Sequence, residues 1–218
     1  MSSASLPTKD WTGTTCDLYD EYLDQAQVTS GIAWRHFGGK PSFAGRAVTI
    51  QLFEDNSRLK ECVETNCATV VAAQQAEQLR QLPRNTVSNE QGEEEDVGTI
   101  LVVDAGASMR CAVLGDQLVK QAVANDYQGI LIYGCVRDAA ILATLDIGIC
   151  ALGTTPRKST RRGQGQVSLP VPIGNVTVQP GDYVFVDLDG VLVLDPRIVH
   201  ARRRQQQKEE EEERQQHN

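Results

Sequence analysis

Alternation of short apolar runs with helical segments between residues 99 and 152 most constrains the fold. Continuous apolar runs are typical of strands buried on both faces, and apolar residues four positions apart predict helices. The runs predict strands at Thr99–Asp104, Gly129–Tyr133 and Ile147–Leu152, with helices at Asp116–Asp126 and Asp138–Leu145. Strand, helix, strand, helix, strand is the pattern of a parallel sheet with helical crossovers.

Flanking segments add β structure of another kind. Residues 44–53 predict a further strand, and Asn56 or Ser57 begins a helix that extends to about Leu82, with a break near Asn66. Thr15–Tyr22 predicts a short helix, whereas 105–114 and 157–165 are interpreted as connections. Short β segments separated by turn signals are predicted at Val171–Ile173, Val176–Val178, Tyr183–Val186 and Val191–Leu194. The fold class is therefore α/β, with a central parallel part and an antiparallel β part.

The domain organisation follows from composition. Residues 1–13 are interpreted as a flexible leader, and 14–198 as a single domain with an acidic insert at about 84–97 that we expect to be mobile. Residues 199–218 form a charged, low-complexity tail, which is either a solvated helical extension or disordered. Three cysteines lie in apolar runs and are interpreted as buried free thiols: Cys111, Cys135 and Cys150.

Charge and composition limit the possible partners. The formal net charge is −8, and aromatic residues make up 5% of the chain, which argues against a nucleic-acid surface. Residues 157–162 and 202–204 are basic and form the weaker, alternative hypothesis of such a surface. The sequence contains no run of 18 or more apolar residues, so no membrane span is predicted. We expect an intracellular protein, cytoplasmic by default, with an organelle address left open.

Two polar groups follow strands of the parallel part, where sites form in such sheets. Gly115-Asp116-Gln117-Leu118 lies at a helix start, whose free amides favour a small carboxylate. The simpler interpretation is an ordinary helix N-terminus whose dipole is complemented by Asp116.

Arg137-Asp138 follows the strand Gly129–Tyr133. Arginine suits a carboxylate, and aspartate offers hard oxygen ligands to Mg²⁺ or Mn²⁺. The simpler interpretation makes Asp138 a helix N-cap and Arg137 a solvated side chain. Asp116 and Arg137 are separated by one helix and one strand, so both groups are expected at one crevice.

At these residues the sequence resembles the regulator of ribonuclease activity A family, which also contains the class II 4-hydroxy-4-methyl-2-oxoglutarate aldolases. The resemblance covers about residues 15–195, and the aldolase signature is Asp, twenty residues, Arg-Asp, here Asp116 and Arg137-Asp138. Further matching stretches are TTCDLYD (14–20), FGG (37–39), SFAGRAVTI (42–50), FEDN (53–56), LVVDAGASMRCAVLGDQL (101–118), GILIYGCVRD (129–138) and PGDYVFVDLDGVLVL (180–194).

The resemblance implies a swivelling β/β/α fold and a homotrimeric ring. It implies that the Gly115–Leu118 amides and Arg137 bind the pyruvyl part of a 2-oxo acid. It further implies that Asp138 ligates Mg²⁺ or Mn²⁺ directly and that Asp116 holds a metal-bound water. Family aldolases also use an acidic residue from a neighbouring subunit. The regulator branch typically lacks the acidic residues matching Asp116 and Asp138, and this chain has both.

The expected function is a metal-dependent lyase that acts on 2-oxo acids through a pyruvate enolate. It is an aldolase of 4-hydroxy-4-methyl-2-oxoglutarate, an oxaloacetate decarboxylase, or both. The alternative is a non-catalytic regulator that binds and inhibits an RNA-degrading enzyme or helicase. The alternative predicts that partner capture survives the loss of Asp116 and Asp138.

Overall fold

The structure is a computed structural model that describes Pro7, residues 11–67 and residues 97–216. The helices are α1 Thr15–Tyr22, α2 Ser57–Glu64, α3 Asp116–Ala124, α4 Ala139–Leu142 and α5 Pro196–Gln216, with a 3₁₀ turn at Leu23–Gln25. The strands are β1 Gln27–Val28, β2 Arg35–His36, β3 Phe43–Gln51, β4 Thr99–Asp104, β5 Ala112–Leu114, β6 Tyr127–Val136, β7 Gly148–Thr154, β8 Gln166–Val167, β9 Val171–Ile173, β10 Val176–Val178, β11 Tyr183–Val186 and β12 Val191–Leu194.

One large sheet organises these elements in the order β1-β12-β11-β3-β4-β6-β7-β2. Strands β3, β4, β6 and β7 are parallel neighbours, whereas β11, β12, β1 and β2 join antiparallel. Strand β5 pairs with β6 and β8 with β3, while β9 and β10 form a separate hairpin. The predicted mixed α/β fold, with its parallel centre and antiparallel part, is therefore confirmed.

The sheet is buried on both faces at its centre. In β4, Leu101 and Val103 pack into the core beneath the helices, whereas Ile100 and Val102 pack into the core beneath the β9–β10 hairpin. All four side chains are fully buried. Successive strand residues point to opposite faces, so an uninterrupted apolar run is what a two-sided core requires.

Two details depart from the sequence predictions, and a third, a disulfide, was not predicted. Trp11, assigned to the flexible leader, is buried against the Phe185 ring with centroids 5.3 Å apart, so packing begins before residue 14. The connection at 105–114 ends in the short strand β5. Cys62 and Cys67 form a disulfide, and the chain turns between them after α2, with Asn66 at φ 49°. Cys111, Cys135 and Cys150 are buried free thiols, as predicted.

The charged tail is helical through Gln216, which confirms the helical alternative for that part of the chain. Arg202 anchors it to the domain, because its Nε lies 3.0 Å from Glu21 Oε1 and its guanidinium lies over the Tyr22 ring.

The break predicted near Asn66 matches the end of α2 at Glu64. The predicted continuation to Leu82 and the insert at 84–97 lie outside the described residues. None of the helices within the described ranges has the length and apolar character that crossing a bilayer requires.

Candidate functional site

A cavity of about 660 Å³ opens at the carboxyl ends of β5 and β6. Four segments that are distant in sequence form its wall: Asn56, residues 112–118, residues 137–138 and residues 158–162. A cavity of this size falls in the range of small-ligand sites. Every residue predicted for the 2-oxo acid site lies in this wall, so the structure brings all of them together.

Parallel pairing of β5 with β6 explains how the two predicted groups meet. Leu114 is the register partner of Val136, and the Arg137 N–H donates to the Leu114 carbonyl at 3.0 Å. The residues that follow the two strands, Gly115 and Arg137, therefore leave the sheet side by side. The expectation that both groups face one crevice is confirmed.

Helix α3 begins without help from a capping side chain. Its N-cap is Gly115, at φ −145° and ψ 178°, and so has no side chain that can accept from the first-turn amides. The first amides of a helix have no intrahelical acceptor. Of these, the Asp116 N–H points to Asp138 Oδ2 at 3.4 Å. Within the cavity, this first turn offers donors to an anion.

Asp138 is not the side-chain cap that the simpler interpretation required. It precedes α4 in the left-handed conformation, φ 61° and ψ 34°, and its carboxylate makes no capping hydrogen bond. Asp138 Oδ2 instead accepts from Arg137 Nε at 3.1 Å. A left-handed non-glycine residue costs free energy, and such residues cluster at functional sites. The backbone here turns the carboxylate towards Arg137 and Gly115.

Position 115 requires glycine because the Arg137 and Asp138 side chains lie against its backbone. A Cβ at this position would lie 2.8 Å from Asp138 Oδ2 and 3.1 Å from Arg137 Nε. Any other residue at 115 would therefore displace the arginine–carboxylate pair. The absence of a side chain lets backbone, arginine and carboxylate approach each other closely.

Asp116 is held ionised by its own helix. Its Oδ2 accepts from Lys120 Nζ at 2.7 Å and from Gln117 Nε2 at 2.8 Å. The Lys120 hydrogen bond, opposed by partial burial, lowers the pKa of the Asp116 carboxyl. Gln117 is exposed and Leu118 is buried, and both residues line the cavity.

Asp116 and Asp138 form a small set of hard oxygen donors. Within residues 11–67 and 97–216, no group of three or more His, Cys, Asp or Glu side chains forms a metal cage. Mg²⁺ commonly keeps several waters and uses one or two carboxylates together with oxygens of the substrate. The two carboxylates fit such a partly hydrated ion and do not fit a closed structural metal site.

Asn56 adds an unpaired acceptor to the cavity wall. The residue is 9% exposed, and its Nδ2 donates to the Val113 carbonyl at 3.1 Å. Its Oδ1 is buried and has no hydrogen-bond partner among the residues that the structure describes, and the same is true of Ser159 Oγ. Buried polar atoms are normally paired, so these two oxygens are available to a ligand or a water.

Three cations complete the wall: Lys158, Arg161 and Arg162. They lie in the loop 157–165, where the sequence suggested nucleic-acid contacts only as a weaker hypothesis. From the sequence, Asn56 was predicted only to begin a helix and not to line the site. Its only sequence signal was its place in FEDN, because no local pattern shows that residues 56 and 158 meet residue 115.

This geometry defines the class of protein: a mixed α/β domain with a polar small-ligand cavity at the carboxyl ends of its parallel strands. The chain belongs to the RraA-like family, since the family model described as Aldolase/RraA matches residues 14–193.

A relative from Alcanivorax borkumensis, named "Putative 4-hydroxy-4-methyl-2-oxoglutarate aldolase", is 36% identical over 86% of this chain and 99% of its own length. A solved structure of the RNA-processing inhibitor RraA from Thermus thermophilis is 32% identical, with TM-score 0.66, over 84% of this chain and 93% of that one. A Geobacillus kaustophilus structure, titled as an S-adenosylmethionine:2-dimethylmenaquinone methyltransferase, is 35% identical, with TM-score 0.67, over 84% of this chain and 97% of that one.

Proposed function

We propose that the protein is a divalent-metal-dependent lyase that cleaves 4-hydroxy-4-methyl-2-oxoglutarate and decarboxylates oxaloacetate. The observation that carries the proposal is the Asp138 carboxylate, which is turned from the helix it precedes towards Arg137 and the start of α3. The name of the relative from Alcanivorax borkumensis supports the aldolase part. Both reactions share one intermediate, a pyruvate enolate, so one site serves both.

Arg137 and the amides at the start of α3 bind the pyruvyl end of the substrate in this proposal. The guanidinium pairs with the carboxylate, and the amides of residues 115–118 donate to the same group. Bond cleavage between C3 and C4 leaves its electron pair on the C2–C3 unit as an enolate. Arg137 stabilises the negative charge that develops there, and a fixed donor of this kind typically contributes about 3 kcal/mol.

Asp138 and Asp116 would hold Mg²⁺ or Mn²⁺, Asp138 directly and Asp116 through a water. When bound, the ion supplies Lewis-acid polarisation of the 2-oxo group. Lys120 keeps Asp116 ionised, which makes it a weak base and a good hydrogen-bond acceptor. Asp116 therefore orients a water that carries away the 4-hydroxyl proton, while a proton returns to C3 of the enolate. Oxaloacetate loses CO₂ and has no hydroxyl proton to remove.

Pyruvate formation from each substrate tests the proposal. We expect turnover with Mg²⁺ or Mn²⁺, its loss in EDTA, and a fall of at least about 100-fold in kcat/KM for Asp138→Ala. Asp146→Ala is the matched control, because the Asp146 side chain is 83% exposed, pairs with Lys40 at 3.4 Å and does not line the cavity. Full activity in Asp138→Ala and in Arg137→Ala would refute the assignment.

The rival function is a regulator that binds an RNA-degrading enzyme or helicase, and the name of the Thermus relative favours it. Absence of turnover above the metal-only background, with partner capture retained in Asp116→Ala and Asp138→Ala, would make the regulator the better proposal.

We also propose a homotrimer in which a neighbouring subunit adds an acidic residue. Light scattering should then give about three times the chain mass of 23.9 kDa.

A further inference from the structure

Lys158, Arg161 and Arg162 are the three cations that the loop 157–165 contributes to the cavity wall. They line the cavity, and no hydrogen bond or ion pair engages their side-chain nitrogens within the described part of the chain. Arg137, by contrast, is paired with Asp138, and Lys120 with Asp116. The acidic side chains of the cavity wall thus already have cations, and the loop 158–162 adds three positive charges in excess. An unpaired cluster of this kind favours an anionic ligand.

The backbone beneath these cations is fixed at many points. Asp55, which is fully buried, accepts from the Ser57 N–H at 2.9 Å and from the Arg162 N–H. The Asn56 N–H donates to the Thr160 carbonyl at 3.1 Å, and the Thr160 N–H donates to the Glu54 carbonyl at 2.9 Å. The loop is therefore held to the chain after β3, while no hydrogen bond or ion pair from the described residues engages its three cationic side chains.

A second set of bonds joins the loop to β5. The Ala112 N–H donates to the Arg157 carbonyl at 2.8 Å, and the Ser159 N–H donates to the Ala112 carbonyl at 3.0 Å. Lys158 thus forms a parallel bridge with Ala112, three residues before Gly115. The cations are built into the same cavity as the pyruvyl-binding residues, on a different segment of its wall. Pre-organisation of this kind reduces the entropy that ligand binding costs.

We propose that Lys158, Arg161 and Arg162 bind the distal carboxylate of a dicarboxylic 2-oxo acid. The inference rests on the proposed function for the pyruvyl end and adds the residues that select the other end. The cluster discriminates between a substrate with a second carboxylate and one with an alkyl group in its place. An RNA phosphate is the other anion that such residues bind, but the cations lie in a cavity, and the chain carries −8 overall.

Ligand binding tests the inference without any need for turnover. We would measure the Kd of 2-oxoglutarate and 2-oxopentanoate for the purified full chain with Mg²⁺, since the two acids differ in a terminal carboxylate against a methyl group. The wild type should bind 2-oxoglutarate at least tenfold more tightly, and the preference should weaken in 0.5 M salt. The triple variant Lys158→Gln/Arg161→Gln/Arg162→Gln should abolish the preference and leave 2-oxopentanoate binding unchanged.

Arg157→Gln is the matched control, because Arg157 is exposed on the same loop but does not line the cavity. It should keep the preference for 2-oxoglutarate. Equal affinity of the wild type for both acids, or an equal preference in wild type and triple variant, would overturn the inference. Loss of RNA retention in the triple variant, with 2-oxoglutarate binding unchanged, would overturn it in favour of phosphate contacts.

Kinetics separate this inference from the proposed function. Cleavage of 4-hydroxy-4-methyl-2-oxoglutarate yields two pyruvates, and cleavage of 4-hydroxy-4-methyl-2-oxopentanoate yields pyruvate and acetone. The triple variant should raise KM for the first substrate at least tenfold, with little change for the second. Turnover without discrimination would refute the distal-carboxylate site alone. Binding discrimination without turnover would refute the lyase and leave the site standing. Failure of both acids to bind would refute both.

Discussion

Substitution of Gly115 by alanine tests whether the spacing of the arginine–carboxylate pair matters to function. The new Cβ would lie 2.8 Å from Asp138 Oδ2, whereas non-bonded heavy atoms pack at about 3.5 Å. The carboxylate must therefore move by roughly 0.7 Å, since it is the flexible partner. Arg137 Nε, at 3.1 Å from the same point, must move as well. A displacement of about 1 Å at a reacting centre costs about 100-fold in rate.

We expect Gly115→Ala to lower kcat/KM for 4-hydroxy-4-methyl-2-oxoglutarate by about tenfold to 100-fold, or about 1.4–2.7 kcal/mol. The stability of the fold should change by less than about 1 kcal/mol, because φ of −145° suits alanine and the atoms nearest to the new Cβ all belong to side chains. Pyruvate release, coupled to lactate dehydrogenase, measures the rate, and thermal unfolding measures the stability.

Val123→Ala is the control for this experiment, because Val123 is 38% exposed and lies in the last turn of the same helix. It should leave kcat/KM unchanged. Full activity in Gly115→Ala would refute the reasoning, since the pair would then tolerate a different spacing. Loss of activity together with a large drop in stability would also refute it, since the backbone would then have moved.

Two further predictions concern buried acids with opposite pH dependence, and a third concerns the N-terminal segment. Burial raises the pKa of Asp182 to about 6, so stability should fall as pH rises from about 4 to 6, and Asp182→Asn should recover about 1–2 kcal/mol at pH 7 in thermal melts. Burial acts to raise the pKa of the Asp55 carboxyl, but hydrogen bonds from Ser57, Arg162 and Thr160 outweigh burial, so the pKa is lowered. The stabilisation that the Asp55 carboxylate contributes should therefore be lost as pH falls through that pKa. Asp55→Asn should cost about 2 kcal/mol at pH 7 by urea unfolding, with no loss there contradicting the role of the carboxylate. Trp11→Ala should cost about 3 kcal/mol by the same measurement, and a cost below about 1 kcal/mol would contradict its packing against Phe185.

Much of the fold could be predicted because its central strands are buried on both faces. The run TILVVD places alternate residues in two cores, so no polar residue interrupts it, and Thr99–Asp104 was predicted with its observed bounds. Element ends were less certain. Strand β6 extends from Tyr127 to Val136, beyond the predicted Gly129–Tyr133, because pairing with β5 continues the ladder. A partner strand of three residues leaves little periodic signal in the sequence.

The candidate site could be predicted only where its residues follow consecutive strands. Gly115 and Arg137 directly follow neighbouring parallel strands, and such neighbours can be inferred from the order of elements. Asn56 and the loop 158–162 reach the cavity through non-local bonds, such as that from the Asn56 N–H to the Thr160 carbonyl. No spacing rule encodes those contacts. The left-handed backbone of Asp138 was equally hidden, since aspartate is an ordinary N-cap residue.

The bonds that fix the loop 158–162 all use backbone atoms of its own residues or the Thr160 hydroxyl. The side chains at 158, 161 and 162 carry none of that framework. Under the proposed role of the three cations, exchanges at these positions would alter which acid the cavity accepts without loosening the loop or the sheet. In evolutionary terms, the proposed substrate selection and the stability of the fold would then depend on different atoms of the same loop.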